Sequence, residues 1–216
     1  MRLVVFDIDG TLVDSAGTIV ACAQEAFARA GLAPPAPEAI RRIVGLSLPE
    51  AMARLLGRDD PPLCARIAEH YRQAFFARRA QPDHEEPLFP GAAEILSELA
   101  ASGHLLGVAT GKALRGVRAI LDRHGLTRHF ATVQTADRHP SKPHPAMLLA
   151  AMDETGSRPE DTVLVGDTTY DVEMARAAGV LPVGVRWGNH PPEELAAAGA
   201  AFLLDRFDQL REIVAR

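Results

Sequence analysis

Two aspartates near the start of the chain are the first residues whose types and spacing could do chemistry. Asp7 and Asp9 stand in the segment DIDGT, directly after an apolar run over residues 3–6. Carboxylates at positions i and i+2 can face one pocket where the chain turns at Gly10, and they repel each other unless a cation or a proton compensates them. Mg²⁺ takes oxygen ligands, so the pair fits a Mg²⁺ site, although a solvated turn fits a lone pair equally well.

Three further segments carry polar residues of complementary types. Thr110 in VATGK and the pair Asp167 and Asp171 in VGDTTYD come at the ends of apolar runs, and Lys142 stands in SKPHP. They add a hydroxyl donor, a cation and two more carboxylates to the first pair of aspartates. Taken singly, Thr110 is typical of a turn or a helix N-cap, and Lys142 is typical of a solvated surface. The predicted site therefore depends on these segments meeting.

A parallel sheet would bring these segments together. Four short apolar runs predict strands, and helical patterns closed by Gly125 and Gly179 follow two of them. Strands that alternate with helices favour a parallel sheet, whose ligands bind at the carboxyl ends of the strands. The predicted strands cover residues 3–6, 105–109, 163–165 and 183–185, and the two helices cover residues 113–124 and 172–178.

The region between residues 14 and 87 predicts a helical insertion after the first strand. It carries four helical patterns separated by Gly31, Gly45 and proline-rich turns, with no convincing strand. The predicted helices cover residues 15–30, 38–44, 49–56 and 62–79, and the proline- and acid-rich segment 81–90 would return the chain to the sheet. The sequence therefore predicts an α/β core of residues 1–14 and 88–216 and a helical unit of residues 15–87.

Composition argues against several classes of partner and site. The 216 residues carry 23 basic and 28 acidic side chains, a formal net charge of −5, so no basic surplus indicates a nucleic acid or an anionic membrane. No apolar stretch approaches the roughly 20 residues of a membrane span, and the N-terminus becomes acidic too soon for a signal peptide. Cys22, Cys64 and the eight histidines lack metal-binding spacing. We expect a soluble, cytoplasmic protein.

The four segments, in this order, resemble the motifs of haloacid dehalogenase superfamily phosphatases. DIDGT, the strand-terminal Thr110, Lys142 and GDTTYD correspond to the four motifs, and the helical insertion resembles that family's cap. The resemblance covers the whole chain. It implies a Rossmann-like parallel-sheet core with an inserted helical cap domain, phosphoryl-transfer chemistry, Mg²⁺ as cofactor and a small phosphorylated substrate.

The resemblance also implies a role for each motif residue. Asp7 would be the nucleophile that forms an aspartyl-phosphate, and Asp9 would protonate the leaving group and then deprotonate the attacking water. Thr110 and the Gly111 amide would donate hydrogen bonds to the phosphoryl oxygens, and Lys142 would supply a fixed positive charge.

The metal ligands follow from the same resemblance. Mg²⁺ would be held by Asp7, by the backbone carbonyl of Asp9 and by Asp167. Asp171 would either bind the metal directly or orient a metal-bound water or Lys142, and both roles stay open. Lys112 is a second cation at a helix start that could touch the substrate.

Substrate choice is less specified than the chemistry. Asp9 disfavours dehalogenation and phosphonate hydrolysis, because members with those activities lack this second aspartate. The segments IVGLSLPEAM and VRWGNHPPEELAAAGAAFLL resemble phosphoglycolate phosphatase-like proteins, which makes 2-phosphoglycolate the leading candidate. A β-phosphoglucomutase-like transfer and a pyrophosphatase activity remain alternatives. Phosphatases of this type often carry Asn where this chain has Gly111, which makes substrate contacts there uncertain.

The cap is expected to contact the non-phosphate part of the substrate and to exclude water when it closes. Gly45, Ser47, Arg41 and Arg42 are candidate contributors to this contact. A solvated helix face explains the two arginines equally well.

Overall fold

A computed structural model describes residues 1–81 and 84–215 of the chain. Pro82 and Asp83, in the predicted return segment 81–90, and Arg216, the last residue of the predicted core, lie outside the described residues. The described strands form one parallel sheet in the order β3-β2-β1-β4-β5-β6. They are β1 Leu3–Phe6, β2 Leu105–Thr110, β3 Phe130–Thr135, β4 Thr162–Gly166, β5 Leu181–Val185 and β6 Phe202–Leu204.

Helices cover both faces of the sheet and fill the segment after β1. None of the described helices is long and apolar enough to cross a membrane. They are α1 Ala16–Arg29, α2 Pro37–Arg41, α3 Leu48–Leu56, α4 Pro61–Arg79, α5 Ala92–Ala101, α6 Leu114–Arg123, α7 Ala146–Thr155, α8 Thr169–Ala177, α9 Pro192–Ala198 and α10 Leu210–Val214.

The central strand β1 is buried on both faces, which explains its unbroken apolar sequence. Successive side chains point to opposite faces of a strand. Val4 and Phe6 accordingly pack with α5, α6 and α10, whereas Leu3 and Val5 pack with α7 and α8. This two-sided burial fixes β1 in the middle of the sheet, and with it the residues that follow its carboxyl end.

The four predicted strands are confirmed as β1, β2, β4 and β5, the four inner strands of the sheet. The two strands that the sequence pattern did not predict, β3 and β6, are its edges. β3 contains both apolar and polar residues, and its buried Gln134 side chain donates to the Thr132 hydroxyl, which in turn donates to Glu154. β6 has only three residues. Edge strands of this kind lack the continuous apolar run of an inner strand.

Helices α1 to α4 form a separate hydrophobic cluster, which we call the cap. Its buried members include Ala23, Ile40, Met52 and Ile67, one from each of the four helices. The two chain segments that join the cap to the sheet run side by side, since the Asp14 N–H donates to the Pro87 carbonyl at 2.8 Å. This pairing supports the predicted boundaries between the core and the helical unit, at 14/15 and 87/88, which remain predictions.

Candidate active site

The sheet brings the predicted site residues to one edge. Asp7 follows β1, Thr110 ends β2 and Asp167 follows β4. Because β1 lies between β2 and β4, with Phe6 in register with Val108 and Val165, Asp7 stands between the other two. The structure buries all six residues for which side-chain roles were predicted, namely Asp7, Asp9, Thr110, Lys142, Asp167 and Asp171.

Lys142 lies between two of the aspartates. Its Nζ is 2.6 Å from Asp171 Oδ1 and 2.9 Å from Asp7 Oδ2. Burial alone would lower the pKa of the Lys142 ammonium group, but Asp171 and Asp7 outweigh burial and raise that pKa. Lys142 is therefore a permanent cation beside Asp7.

Asp171 is oriented by its own helix as well as by Lys142. Its Oδ2 accepts hydrogen bonds from the Thr168 hydroxyl at 2.7 Å and from the Thr168 N–H at 3.1 Å, which together form the N-terminal cap of α8. With one oxygen on Thr168 and the other on Lys142, Asp171 is placed to fix the lysine. Of the two roles left open by the sequence, this geometry favours the positioning of Lys142.

Three carboxylates converge at this point. Oxygen atoms of Asp7, Asp167 and Asp171 all lie within 4.8 Å of one another. Burial raises the pKa of Asp7 to about 6, with Lys142 opposing and Asp171 adding to the shift. Burial, then Asp171 and Asp7, raise the pKa of Asp167 to about 7.

The charge of this cluster fits a divalent cation. Three ionised carboxylates beside one ammonium group leave an excess of two negative charges. A hard divalent cation with oxygen ligands would neutralise that excess. The raised pKa values of Asp7 and Asp167 reflect how unfavourable the negative charge is while no cation balances it. The donor set therefore fits the metal that the sequence predicts.

Asp167 is held by two residues that the sequence pattern did not identify. The Thr11 hydroxyl donates to Asp167 Oδ1 at 2.9 Å, and the backbone and side-chain N–H groups of Asn189 both donate to Oδ2 at 2.8 Å. Gly10 and Gly188 make room for this arrangement, since a Cβ on either would lie about 2 Å from Asp167 atoms. The only feature of the sequence that points to these two residues is that each directly follows a glycine, Thr11 after Gly10 and Asn189 after Gly188.

Asp9 lies outside the cluster of three carboxylates. Lys112 Nζ is 2.9 Å from both of its carboxylate oxygens, and the Ser15 hydroxyl donates to Oδ1 at 2.7 Å. Burial would raise the pKa of Asp9, but Lys112 and Ser15 outweigh it and lower that pKa. The Asp9 side chain is thus engaged by Lys112, which leaves its backbone carbonyl as the atom for the predicted metal contact.

Gly111 contacts the cap directly. A Cβ at this position would lie 2.4 Å from the carbonyl oxygens of both Gly45 and Leu46, so no side chain fits while the cap stays in this position. The departure from the family's usual Asn therefore has a steric reason. Thr110, just before it, is buried beside Asp7, and its hydrogen bond tends to lower the pKa of Asp7.

The four predicted cap residues divide into two pairs. Gly45 and Ser47 face the core near the site, and the Ser47 N–H donates to the Ser141 hydroxyl at 2.8 Å, next to Lys142. Arg42 instead forms a two-point ion pair with Glu194 of α9 at the surface, and Arg41 lines a second cavity beside Trp187. The structure therefore brings Gly45 and Ser47 to the site and directs the two arginines elsewhere.

A cavity of about 410 Å³ lies between the cap and the carboxyl edge of the sheet. On the core side it is lined by Asp7, Asp9, Thr110, Gly111 and Lys112, whereas Lys142, the cation predicted for the phosphate, is not in the described lining. Its volume is that of a site for a small organic molecule. Carboxylate, hydroxyl, amide and ammonium groups therefore line one cavity.

Comparison with known proteins gives a family match over most of the chain. The model of the haloacid dehalogenase-like hydrolases matches residues 4–185. A protein of Dickeya dadantii named "Probable phosphatase IndB" is 37% identical, over 96% of this chain and 91% of its own length. A protein of Rhodospirillum rubrum named "Phosphoglycolate phosphatase" is 36% identical, over 97% of this chain and 89% of its own.

Solved structures give the same result for the fold. The crystal structure of a hydrolase from Pseudomonas syringae superposes with a TM-score of 0.87 at 26% identity, over 100% of this chain and 98% of that one. Sheet and cap together are thus shared with a known hydrolase, which confirms the predicted α/β fold with its inserted helical cap.

The raised pKa values of Asp7 and Asp167 predict how the metal-free protein responds to pH. The folded chain keeps these protons up to about pH 6 and 7, whereas the unfolded chain releases them near the ordinary value of 3.8. The stabilising contribution is therefore complete at low pH and is lost as the pH rises through the folded-state values. Without metal, Asp167→Asn should be more stable than the wild type at pH 8, and the difference should shrink at pH 5.

Denaturant unfolding in the presence of a chelator measures this difference in free energy of unfolding. A difference that stays the same from pH 5 to pH 8 would contradict the charge cluster. Added Mg²⁺ provides the control, because it should stabilise the wild type at pH 8 more than the Asp167→Asn variant.

Proposed function

The chain belongs to the family of haloacid dehalogenase-like hydrolases and is a phosphatase, and we propose that it hydrolyses small phosphomonoesters through an aspartyl-phosphate on Asp7, with Mg²⁺ as its metal. The single observation that carries this proposal is the Asp7 carboxylate, buried in the middle of the sheet edge with Lys142 at 2.9 Å and two further carboxylates around it. Such a carboxylate faces both a cation for the phosphoryl oxygens and the ligands of a metal.

In the first step, the Asp7 carboxylate attacks phosphorus and the ester P–O bond breaks. The Ile8 N–H donates to Asp7 Oδ1 at 2.7 Å, which fixes the carboxylate in its plane. Lys142, the Thr110 hydroxyl and the Gly111 N–H stabilise the charge on the three phosphoryl oxygens. In the second step, water attacks phosphorus, and the P–O bond to Asp7 breaks to release phosphate.

Asp9 gives the leaving oxygen its proton and later takes one from the attacking water. In the described arrangement Asp9 is ionised, because Lys112 lies 2.9 Å from both its oxygens and lowers its pKa. Proton donation therefore requires Lys112 to leave Asp9. We assign the phosphoryl dianion as the partner that draws Lys112 away. The pKa of Asp9 then rises, and its carboxylate takes up a proton from solvent water, which it gives to the leaving oxygen.

The metal would be held by Asp7, the Asp9 backbone carbonyl and Asp167. When bound, it supplies positive charge that lets a phosphate dianion approach the carboxylates. Thr11 and Asn189 keep Asp167 turned toward the site, and Asp171 keeps Lys142 beside Asp7. Each of these residues therefore acts by holding another charged group in position.

We assign contact with the leaving group to the cap, residues 15–87. The cap carbonyls of Gly45 and Leu46 lie over Gly111, so they close the site directly above the phosphate position. 2-Phosphoglycolate is the first ester to assay, because relatives that are 31% identical to this chain are named phosphoglycolate phosphatases. Release of inorganic phosphate distinguishes hydrolysis from a mutase, which would move the phosphoryl group along a sugar.

Purified protein should release phosphate from 2-phosphoglycolate or another small monoester only when Mg²⁺ is present. A chelator should abolish the activity and added Mg²⁺ restore it, whereas Ca²⁺, with its larger and looser coordination shell, should support turnover poorly. Phosphate release is measured colorimetrically, with Asp7→Asn as the control for contaminating phosphatases. Full activity without divalent metal, or in the Asp7→Asn variant, would contradict the proposal.

The role of Asp9 predicts a dependence on the leaving group. Asp9→Asn should lower kcat by roughly 100-fold or more for alkyl phosphates, whose alkoxide needs a proton, and much less for 4-nitrophenyl phosphate. Ser15→Ala is the matched control, because it removes a hydrogen bond to Asp9 without removing the proton donor. Equal losses with both kinds of ester would show that Asp9 is not the acid.

A further inference from the structure

We propose that the preferred substrate carries an apolar leaving group, an alkyl or aromatic body of several carbons, rather than a short carboxylic acid. This inference rests on the proposed function, since it concerns what is attached to the phosphate that Asp7 attacks. It is drawn from the lining of the 410 Å³ cavity, which extends from the catalytic carboxylates into the cap.

The cap side of the cavity is lined by hydrocarbon. α1 contributes Ile19 and Ala23, α3 contributes Met52, and α4 contributes Phe75. Ile43, Val44 and Leu46, in the loop before α3, extend this wall. Cap residues with polar groups that also line the cavity are Ser47, Tyr71, Arg72 and Arg79. A cavity with such walls favours an apolar occupant, because the apolar surfaces of the ligand and of the wall are both removed from water when they meet.

Four cations line the cavity, and three of them are already paired with carboxylates. Lys112 is paired with Asp9, and Arg79 is paired with the buried Glu86 at 2.7 Å. The other two, Arg72 and Arg115, are exposed, the former on Glu69 and the latter over the Phe76 ring. A carboxylate on the leaving group would therefore meet hydrocarbon on the cap side. Among the described residues, the lining cation without a carboxylate partner is Arg115, which is exposed to water outside this wall.

The lining changes the binding free energy in opposite directions for a carboxylate and for an alkyl leaving group. A carboxylate that enters this space without a paired cation loses its hydration, which weakens binding. Each methylene that enters strengthens binding by a factor of about three to four. The lining therefore predicts selectivity for hydrocarbon length, which 2-phosphoglycolate cannot use.

A series of n-alkyl phosphates from ethyl to hexyl tests this selectivity, because leaving-group basicity changes little along the series. We expect kcat/KM with Mg²⁺ to rise about threefold per methylene until the cavity is filled, and to exceed the value for 2-phosphoglycolate by at least tenfold at hexyl phosphate. A flat or falling series, with 2-phosphoglycolate the better substrate, would overturn the inference and leave the phosphatase standing.

Two matched variants separate the cavity from the stability of the cap. Val44→Thr places a hydroxyl on the cavity wall with almost no change of shape, and should reduce the gain in kcat/KM per methylene. Val20→Thr makes the same change in the same hydrophobic cluster but outside the cavity lining, and should leave the gain intact. Equal effects of both substitutions would contradict a role for the cavity wall.

Binding of n-alkylphosphonates gives a readout that does not require turnover. Their affinities, measured by calorimetry with Mg²⁺, should follow the same dependence on chain length. If no ester is hydrolysed but phosphonate affinity rises with chain length, the proposed function fails and the apolar assignment of the cavity is supported. If phosphonate affinity does not change with chain length, the apolar assignment fails whatever the esters show.

Discussion

Burying three carboxylates around one ammonium group costs free energy that the rest of the structure has to offset. Lys142 relieves part of this cost by lying 2.6 Å from Asp171 and 2.9 Å from Asp7. Asp167 pairs with no cation among the described residues, and burial with the neighbouring carboxylates raises its pKa to about 7. In the proposed mechanism, the remaining negative charge would attract a divalent cation and, through it, a phosphate dianion. The same imbalance that destabilises the metal-free protein thus creates the affinity that the reaction needs.

The fold serves this cluster by rigid placement. β1 is buried on both faces, so Asp7 is fixed between the ends of β2 and β4 without a choice of register. Around Asp167, Gly10 and Gly188 leave space that no side chain could share, and Thr11 and Asn189 supply its hydrogen bonds. The cap then covers this edge so closely that Gly111 has no room for a Cβ.

Inner strands and their terminal polar residues could be predicted from the sequence, because a strand buried on both faces has a continuous apolar run that ends where the site begins. The edge strands β3 and β6 could not, since one is half polar and the other has three residues. The pairing of Lys112 with Asp9, and of Thr11 with Asp167, joins residues more than 100 positions apart. The spacing of residues within a motif does not predict contacts between distant motifs, so these partners could be identified only from the structure.

The central claim is that Asp7 takes the phosphoryl group before water does. Two successive in-line displacements at phosphorus leave its configuration unchanged, whereas direct attack by water inverts it. The deciding measurement is the hydrolysis of a phosphorothioate monoester that is chiral at phosphorus through two oxygen isotopes, in water of the third isotope. Retention of configuration in the thiophosphate product is the result that this account predicts, and inversion would contradict it.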